Sequence, residues 1–422
     1  MTHPHCYGGS TVPNEPVAVT CKVCGGHVHE FLDLGRQPLS DAFREPESVA
    51  PEFFFRLAVG RCESCTMVQL TESVPREKMF HEDYPYHSSG SAVMRAHFAT
   101  VARRFLDTEL AVPDPFIVEM GCNDGVMLAT INQAGVRHLG FEPSNGVAEA
   151  ARAQGIRVRT AFFEEETAAR VRAQEGPAQV IYAANTMCHI PYPESIFRGV
   201  DALLAPDGVF VFEDPYLGDL VAKTSFDQIY DEHFFLFSGH SVRAMAEHYG
   251  FQLVDVDRLA VHGGEVRYTL ARAGARVPSA AVAGLLAEED ASGLSDLTTL
   301  RRFGDSVLRV RDDLVALLRR LRAEGSLVVA YGATAKSATV TNFCGIGPEL
   351  VSYVCDSTPA KQHRITPGKH IPVRPPTAFR DPYPDYALLF AWNHADEIMA
   401  KEEEFRRRGG QWISYVPDVR VL

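Results

Sequence analysis

Residues Phe116–Leu128 read FIVEMGCNDGVML. Three apolar residues, Phe116, Ile117 and Val118, have the character of a buried strand, and a helical pattern begins at Val126. Between them lies a turn that holds Gly121 and Gly125. Strand, glycine-rich turn and helix form the opening unit of a doubly wound α/β sheet, where ligands sit at the carboxyl ends of the strands. Gly121 allows a tight turn, and Gly125 is expected to let the backbone approach a ligand. The spacing is E-x-G-x-N-x-G, carried by Glu119, Gly121, Asn123 and Gly125 with Asp124 in the same turn, and not G-x-G-x-x-G. An acid ahead of the first glycine repels a pyrophosphate and attracts an ammonium group. That favours S-adenosylmethionine (SAM) over NAD. A purely structural strand–turn–helix is the competing reading.

The pieces that follow come in a fixed order. A second strand, Val136–Phe141, ends at Glu142, about where dinucleotide folds place the acid that bonds ribose hydroxyls. Phe162 and Phe163 follow a third strand around Ile156–Thr160 and either sandwich an adenine or pack in the core. A fourth strand, Gln179–Ala183, runs into Asn185, Thr186, Met187, Cys188 and His189. The turn Leu203–Gly208 leads to a fifth strand, Val209–Glu213. Over Phe116–Arg272 this order resembles the class I SAM-dependent methyltransferases. The candidate cofactor residues are Glu119, Gly121, Asn123, Asp124, Gly125, Glu142, Phe162, Phe163, Asn185 and Thr186.

A chain of 422 residues implies two or three domains, and 46% hydrophobic residues can fill their cores. No apolar run reaches membrane-spanning length and no signal peptide is legible, so a cytoplasmic protein is expected. A net charge of −13 argues against nucleic acid as a partner. Nine cysteines in such a chain point to metal binding or buried thiols.

Met1–Thr20 reads as a loose tail. Cys21-x-x-Cys24 and Cys62-x-x-Cys65 then supply the four thiolates of a closed tetrahedral zinc site. The gap between the two knuckles is long, so a loop such as Leu39–Phe53 must be inserted. Four thiolates leave no open coordination position, which makes the zinc structural. His27 and His29 are alternative ligands; reduced structural cysteines are the competing reading.

The segment Tyr230–Phe237, YDEHFFLF, sets titratable residues beside an aromatic run. In an extended chain Tyr230 and Glu232 point one way and His233 the other, though an irregular backbone can converge them. Methylation of carbon requires a general base and a group that holds an enolate. Histidine is the commonest such base because its pKa lies near cell pH. His233 and His189 are in the right region. Tyr230 or Tyr84 are candidate donors to an enolate oxygen, and Tyr84 and Tyr86 lie in a polar loop at the lip of the sheet. Asp231 and Glu232, if close, are expected to raise the pKa of His233. A core or orienting histidine is the alternative.

Leu327–Tyr331 begins a second α/β unit, whose turn Gly332–Ser337 precedes a helix. It lacks the spacing of a Walker A loop, yet a small-residue turn with Lys336 and Ser337 at a helix N-terminus suits an anion. Further strands are expected at Leu350–Cys355, Tyr386–Ala391 and Gln411–Val416. The fold class is therefore α/β: a zinc-binding module over 1–80, a Rossmann-like SAM domain over 81–275, and a second Rossmann-like domain over 276–422. An exposed lysine on a scaffold domain is the other reading of Lys336.

Taken together, HEDYPYHSSGS (His81–Ser91), VEMGCNDG (Val118–Gly125), NTMCHIPYPESIF (Asn185–Phe197), FEDPY (Phe212–Tyr216), YDEHFFLFS (Tyr230–Ser238), VHGGEVRY (Val261–Tyr268) and YGATAKSATVTNF (Tyr331–Phe343) resemble the sugar-nucleotide C-3′-methyltransferases of antibiotic deoxysugar biosynthesis, the D-tetronitrose type among them. The resemblance implies zinc at Cys21, Cys24, Cys62 and Cys65, SAM in the middle, and a dTDP-linked 4-keto-deoxysugar, with or without a 3-amino group, held by the C-terminal domain through Lys336, Ser337 and Tyr86. It implies His233 as the base at C-3′, with Tyr230, Glu232, Tyr84 and His189 around it, and leaves the role of Asp231 open. A monomer is expected, since three domains can enclose the site. An O- or N-methyltransferase and a non-catalytic zinc/SAM-fold scaffold are the alternatives.

Overall fold

The computed structural model describes residues 19–48, 50–79 and 87–422. Tyr84 and Tyr86 lie outside the described residues. The amino-terminal part contributes strands β1 (Val28–Pro38), β2 (Phe54–Cys62) and β3 (Val68–Leu70), paired antiparallel in that order. The middle of the chain supplies β4 (Phe116–Met120), β5 (Arg137–Phe141), β6 (Val158–Arg159), β7 (Ala178–Ala184), β8 (Leu204–Pro215), β9 (Phe235–Leu236), β10 (Phe251–Leu259) and β11 (Glu265–Arg272). The carboxyl-terminal part adds β12 (Val328–Tyr331), β13 (Val354–Cys355), β14 (Val373–Arg374), β15 (Tyr386–Leu389), β16 (Gln411–Ser414) and β17 (Arg420–Val421).

These strands form three sheets. The central sheet has the order β10-β11-β8-β7-β4-β5-β6; the five strands from β8 to β6 are parallel, and β11 and β10 close it antiparallel. All five residues of β4 are buried, as expected of a strand covered on both faces. The third sheet, β14-β13-β12-β15-β16-β17, is parallel except at β17. In both sheets the strand that opens the α/β unit lies inside, flanked by its second and later strands.

Some strands differ from expectation. β6 is only Val158–Arg159, and β13 only Val354–Cys355, because Leu350 ends a turn that continues the preceding loop. β8 already begins at Leu204, and the predicted Leu203–Gly208 turn is a register shift within it.

The first sheet, β1-β2-β3-β9, is completed by a strand from far along the chain. β9 adds to β3, with Val68 opposite Leu236 and Gln69 opposite Phe235, and Leu70 N–H donates to Phe234 O at 2.8 Å. Phe234, Phe235, Leu236 and Phe237 are all buried. Each such side chain contributes roughly 1.5–3 kcal/mol on leaving water, which fixes the segment that carries His233. The insert between β1 and β2 reaches the C-terminal part instead: Arg44 and Ile365 exchange backbone hydrogen bonds at 3.2 and 2.8 Å, and Lys361 Nζ meets Asp41 at 3.0 Å. The long inter-knuckle gap is thus a strap between the first and last parts of the molecule. The helix Leu297–Ala323 packs Leu300, Val307, Leu314, Leu318 and Leu321 inward, and Leu317 is only partly buried.

Candidate active site

The four cysteine sulfurs come together. Cys21 Sγ lies 3.6 Å from Cys65 Sγ, Cys24 Sγ lies 3.5 Å from Cys62 Sγ, and all four are within 4.8 Å of one another. Bonds of about 2.3 Å from zinc to sulfur in a tetrahedron set the sulfurs about 3.8 Å apart, so the cage fits that ion. A thiol hydrogen bond from Cys65 pulls the Cys21 thiol down to about 5. His29 pairs with Glu63 instead and takes no part.

A cavity of about 750 Å³ opens between the carboxyl ends of the central and C-terminal sheets. On the central side, Gly121, Asn123, Glu142, Phe162, Phe163, Asn185 and Thr186 line it, as the sequence led us to expect. Glu119, Asp124 and Gly125 do not. The positive φ of 66° at Gly121 and the close approach of Thr186 both require glycine: a Cβ there would stand 2.5 Å from Thr186 Oγ1. Gly125 has a different reason from the one anticipated. Its φ is 78°, and a Cβ would press on Ile156 and Ala151, so it serves the turn and helix packing rather than a ligand.

Glu142 does more than line the cavity. Its carboxylate accepts Asn123 N–H at 3.0 Å and Ser144 N–H at 2.9 Å, bracing the glycine turn while it lines the cavity. Behind it, burial pushes the Glu119 carboxyl well up, helped by the charges of Asp124, Glu142 and Glu213. Glu119 Oε2 is buried without a hydrogen-bond partner. Burial and neighbouring acids of one sign make a wall that disfavours phosphate and favours a cationic ligand. That fits the sulfonium and ammonium groups of SAM.

Phe163 packs edge-on against Phe141 at 5.2 Å and belongs to the core as well as to the wall. Phe162 carries the Arg76 guanidinium 4.1 Å from its ring centre; Arg76 also pairs with Glu164 at 2.5 Å and Tyr192 OH at 2.7 Å.

Tyr230, Glu232, His233 and His189 all line the same cavity. The backbone between Tyr230 and His233 is a turn, with His233 N–H donating to Tyr230 O at 3.0 Å, so alternate faces do not apply and the side chains converge. His233 Nδ1 lies 2.8 Å from Gln228 O, and Nε2 lies 2.8 Å from Tyr230 Oη. A carbonyl can only accept, so Nδ1 carries the proton, and in the neutral ring Nε2 is the acceptor. The His189 ring stacks on His233 with centres 5.4 Å apart. Burial pushes His233 well below its ordinary pKa, assisted by His189 and Lys336, with Gln228 O opposing; burial takes His189 down to about 3. The expected rise from neighbouring acids does not occur. Asp231 turns away and accepts Ser40 N–H at 3.0 Å, while burial raises its own carboxyl to about 6.

Opposite, the C-terminal sheet repeats the layout of the central one. Gly332 follows β12 with φ 91°, and a Cβ there would meet Ala391, beyond β15, at 2.7 Å. Asp356 follows β13 and accepts Ala333 N–H at 2.6 Å and Thr358 N–H at 2.7 Å. These are the counterparts of Gly121, Thr186 and Glu142. Asp356, Lys361 and Asn393, in the segments that follow β13 and β15, line this side of the cavity. The half-buried Lys336 lines it too, with Nζ 2.8 Å from Asn393 Oδ1 and 4.3 Å from the Trp392 ring centre. Desolvation lowers its pKa, and Asp227 opposes this. Ser337 does not line the cavity: its hydroxyl donates to Thr334 O at 2.6 Å.

Comparison with known proteins agrees with this geometry. The chain is 34% identical over 407 residues to the C-methyltransferase NovU of Streptomyces niveus, covering 95% of this chain and 96% of that one. The chain belongs to this family of C-methyltransferases. Three family profiles partition the C-methyltransferase: a zinc binding domain at residues 21–80, a methyltransferase domain at 94–256 and a C-methyltransferase C-terminal domain at 260–417. Its cofactors are SAM and one zinc ion, the latter at the four cysteines. Among solved structures, a SAM-dependent methyltransferase from Anabaena variabilis ATCC 29413 is 17% identical, covering 43% of this chain and 86% of that one with a TM-score of 0.33. Magnesium protoporphyrin IX methyltransferase from Synechocystis PCC 6803 is 12% identical over 42% of this chain and 79% of that one, with a TM-score of 0.32. The family assignment rests on the full-length relative and not on these. Among the described residues no helix is long and apolar enough to cross a membrane.

Proposed function

We propose that this C-methyltransferase adds a methyl group to C-3′ of a dTDP-linked 4-keto-deoxyhexose, with His233 as the base that generates an enolate. The observation that carries the reading is the locked tautomer of His233: Nδ1 is tied to Gln228 O, which leaves Nε2 as the basic atom, facing Tyr230 Oη, and both residues line the cavity. A C–H acid needs such a neutral base, and the 4′-ketone makes C-3′–H acidic enough for imidazole. For an oxygen or nitrogen nucleophile a weak base suffices and no ketone is needed.

In this reading Gly121, Asn123, Glu142, Phe162, Phe163, Asn185 and Thr186 hold the cofactor, with Glu119, Asp124 and Gly125 shaping the turn behind them. When bound, SAM supplies an electrophilic methyl group that a carbon nucleophile accepts. His233 Nε2 takes the C-3′ proton, and the electron pair of that bond moves into the enolate. Tyr230 O–H, which donates to Nε2 at rest, swings to the enolate oxygen. His189 and Glu232 shape the wall beside it, and Tyr84 is assigned to the same region. With both ligands in place the cavity holds the reacting carbon and excludes water from it, which supplies orientation and desolvation.

The nucleotide goes to the C-terminal half, with Lys336 on a phosphate and Tyr86 as a further contact. The repeated glycine-and-acid layout around Gly332 and Asp356 supports a second nucleoside site there. Ser337 acts only through the turn, since its hydroxyl is engaged by Thr334. The same reading divides the chain into 1–80, 81–275 and 276–422, and places it in antibiotic deoxysugar biosynthesis in the cytoplasm.

The test uses SAM carrying a ¹³C methyl and dTDP-4-keto-deoxyhexoses with a 3-amino or a 3-hydroxy group. Carbon NMR is expected to show the label bonded to a quaternary C-3′. A label on oxygen or nitrogen would overturn the assignment in favour of an O- or N-methyltransferase.

A further inference from the structure

We infer that Asp227 is a positioning residue that couples the nucleotide half of the cavity to the imidazole of His233; this rests on the nucleotide reading of the C-terminal half given above. Asp227 is fully buried on the short turn Phe226–Gln228. Its Oδ2 accepts Trp392 Nε1–H at 2.7 Å and Tyr415 O–H at 2.6 Å. Both donors belong to the C-terminal half, just beyond β15 and β16. The next residue, Gln228, provides the carbonyl that holds His233 Nδ1, and its side chain donates to His262 O at 3.0 Å. The residue after that, Ile229, accepts Thr339 Oγ1–H at 2.8 Å from the helix Ser337–Cys344. The carbonyl that orients the imidazole is therefore pinned on both sides to the C-terminal half.

The same indole meets the nucleotide side. Lys336 Nζ stands over Trp392, and neighbouring Asn393 both bonds Lys336 and lines the cavity. There is little slack in the contact, because a Cβ on Gly263 would already sit 2.6 Å from Trp392 and 3.1 Å from Gln228 Nε2. An anion that draws Lys336 toward the cavity shifts the load on Trp392. Asp227 passes that shift to Gln228 and so to His233.

The test uses the full-length, zinc-loaded enzyme labelled with ¹⁵N-histidine, with His233 assigned by difference against His233→Asn. Thymidine diphosphate is the probe. In the wild type, its binding is expected to move the His233 ring nitrogens. Trp392→Phe keeps a ring under Lys336 but removes the N–H, and Asp227→Asn removes the charge. Both are expected to bind thymidine diphosphate within about threefold of wild type, to lose the His233 response, and to lower kcat about tenfold at nearly constant KM. Trp392→Phe serves if Asp227→Asn fails to fold, with circular dichroism as the check. A Trp392→Phe enzyme with wild-type kcat and an intact His233 response overturns the coupling. Wild-type binding without any His233 response overturns it too, and leaves the nucleotide site standing. If the wild type does not bind thymidine diphosphate, the nucleotide reading itself fails, and the coupling with it.

Discussion

Lowering the pH from 8 to 5.5 separates a buried neutral imidazole from an ordinary one. The proton-abstracting form of His233 is neutral, and burial is the largest of the effects that hold its pKa below 6.5. A lowered pKa keeps the base competent as the pH falls, and moves the acid limb of the rate profile downward. An unperturbed imidazole with a pKa of about 6.5 is neutral about one time in four at pH 6 and about one in eleven at pH 5.5. It would lose about fourfold and about tenfold in kcat/KM at these points. His233 is expected to show neither loss. The assay is the initial rate of S-adenosylhomocysteine formation at subsaturating sugar nucleotide, at constant ionic strength, with circular dichroism confirming the fold at each pH. Asp231 titrates in the same window, since its carboxyl is pushed up to about 6 and holds Ser40 N–H. Asp231→Asn retains the acceptor and cannot titrate, so an acid limb that vanishes in this variant belongs to Asp231. A tenfold loss at pH 5.5 in both enzymes would refute the reasoning about His233.

Three further outcomes follow from the geometry. Stripping zinc, or Cys62→Ser, removes binding energy on the order of 10 kcal/mol from the cysteine cage, and deuterium uptake should rise first at Val68–Leu70 and Phe235–Leu236 while β12 and β15 stay protected; uniform uptake across the chain would contradict the β3–β9 link. Gly121→Ala forces a side chain into φ 66° at about 1–2 kcal/mol, plus overlap with Thr186; SAM affinity by calorimetry should fall at least about tenfold, and unchanged affinity would remove Gly121 from the cofactor site. Lys336→Met removes a charge worth about 1.5–3 kcal/mol in hydrogen bonding, so KM for the sugar nucleotide should rise roughly ten- to a hundredfold with SAM binding intact; an equal KM would place the phosphate elsewhere.

The parts legible in the sequence are those whose physics is local. Two C-x-x-C knuckles state their own geometry, and Gly121 states a backbone angle. The inner strands β4, β5 and β7 of the central sheet were readable because each is short, largely apolar and followed by a turn. β9 was not, because two residues inside an aromatic run say nothing of a partner near Val68. The tautomer of His233 was hidden for a related reason: it is set by the carbonyl of Gln228, and backbone atoms have no residue code. Proximity in sequence was misleading about charge. Asp231 adjoins Glu232 and His233, yet it faces the strap at Ser40, and burial decides the imidazole's state. Ser337 looked like a phosphate ligand beside Lys336, but its hydroxyl closes its own turn.

Proton exchange at the sugar carbon tests the central claim most directly. The enzyme is incubated in deuterium oxide with S-adenosylhomocysteine and a dTDP-4-keto-deoxyhexose, and deuterium at C-3′ is read by proton NMR. Wild-type enzyme is expected to wash deuterium into that position, and His233→Asn to reduce the rate by about 10²–10⁴. Exchange at the wild-type rate in His233→Asn would contradict the account.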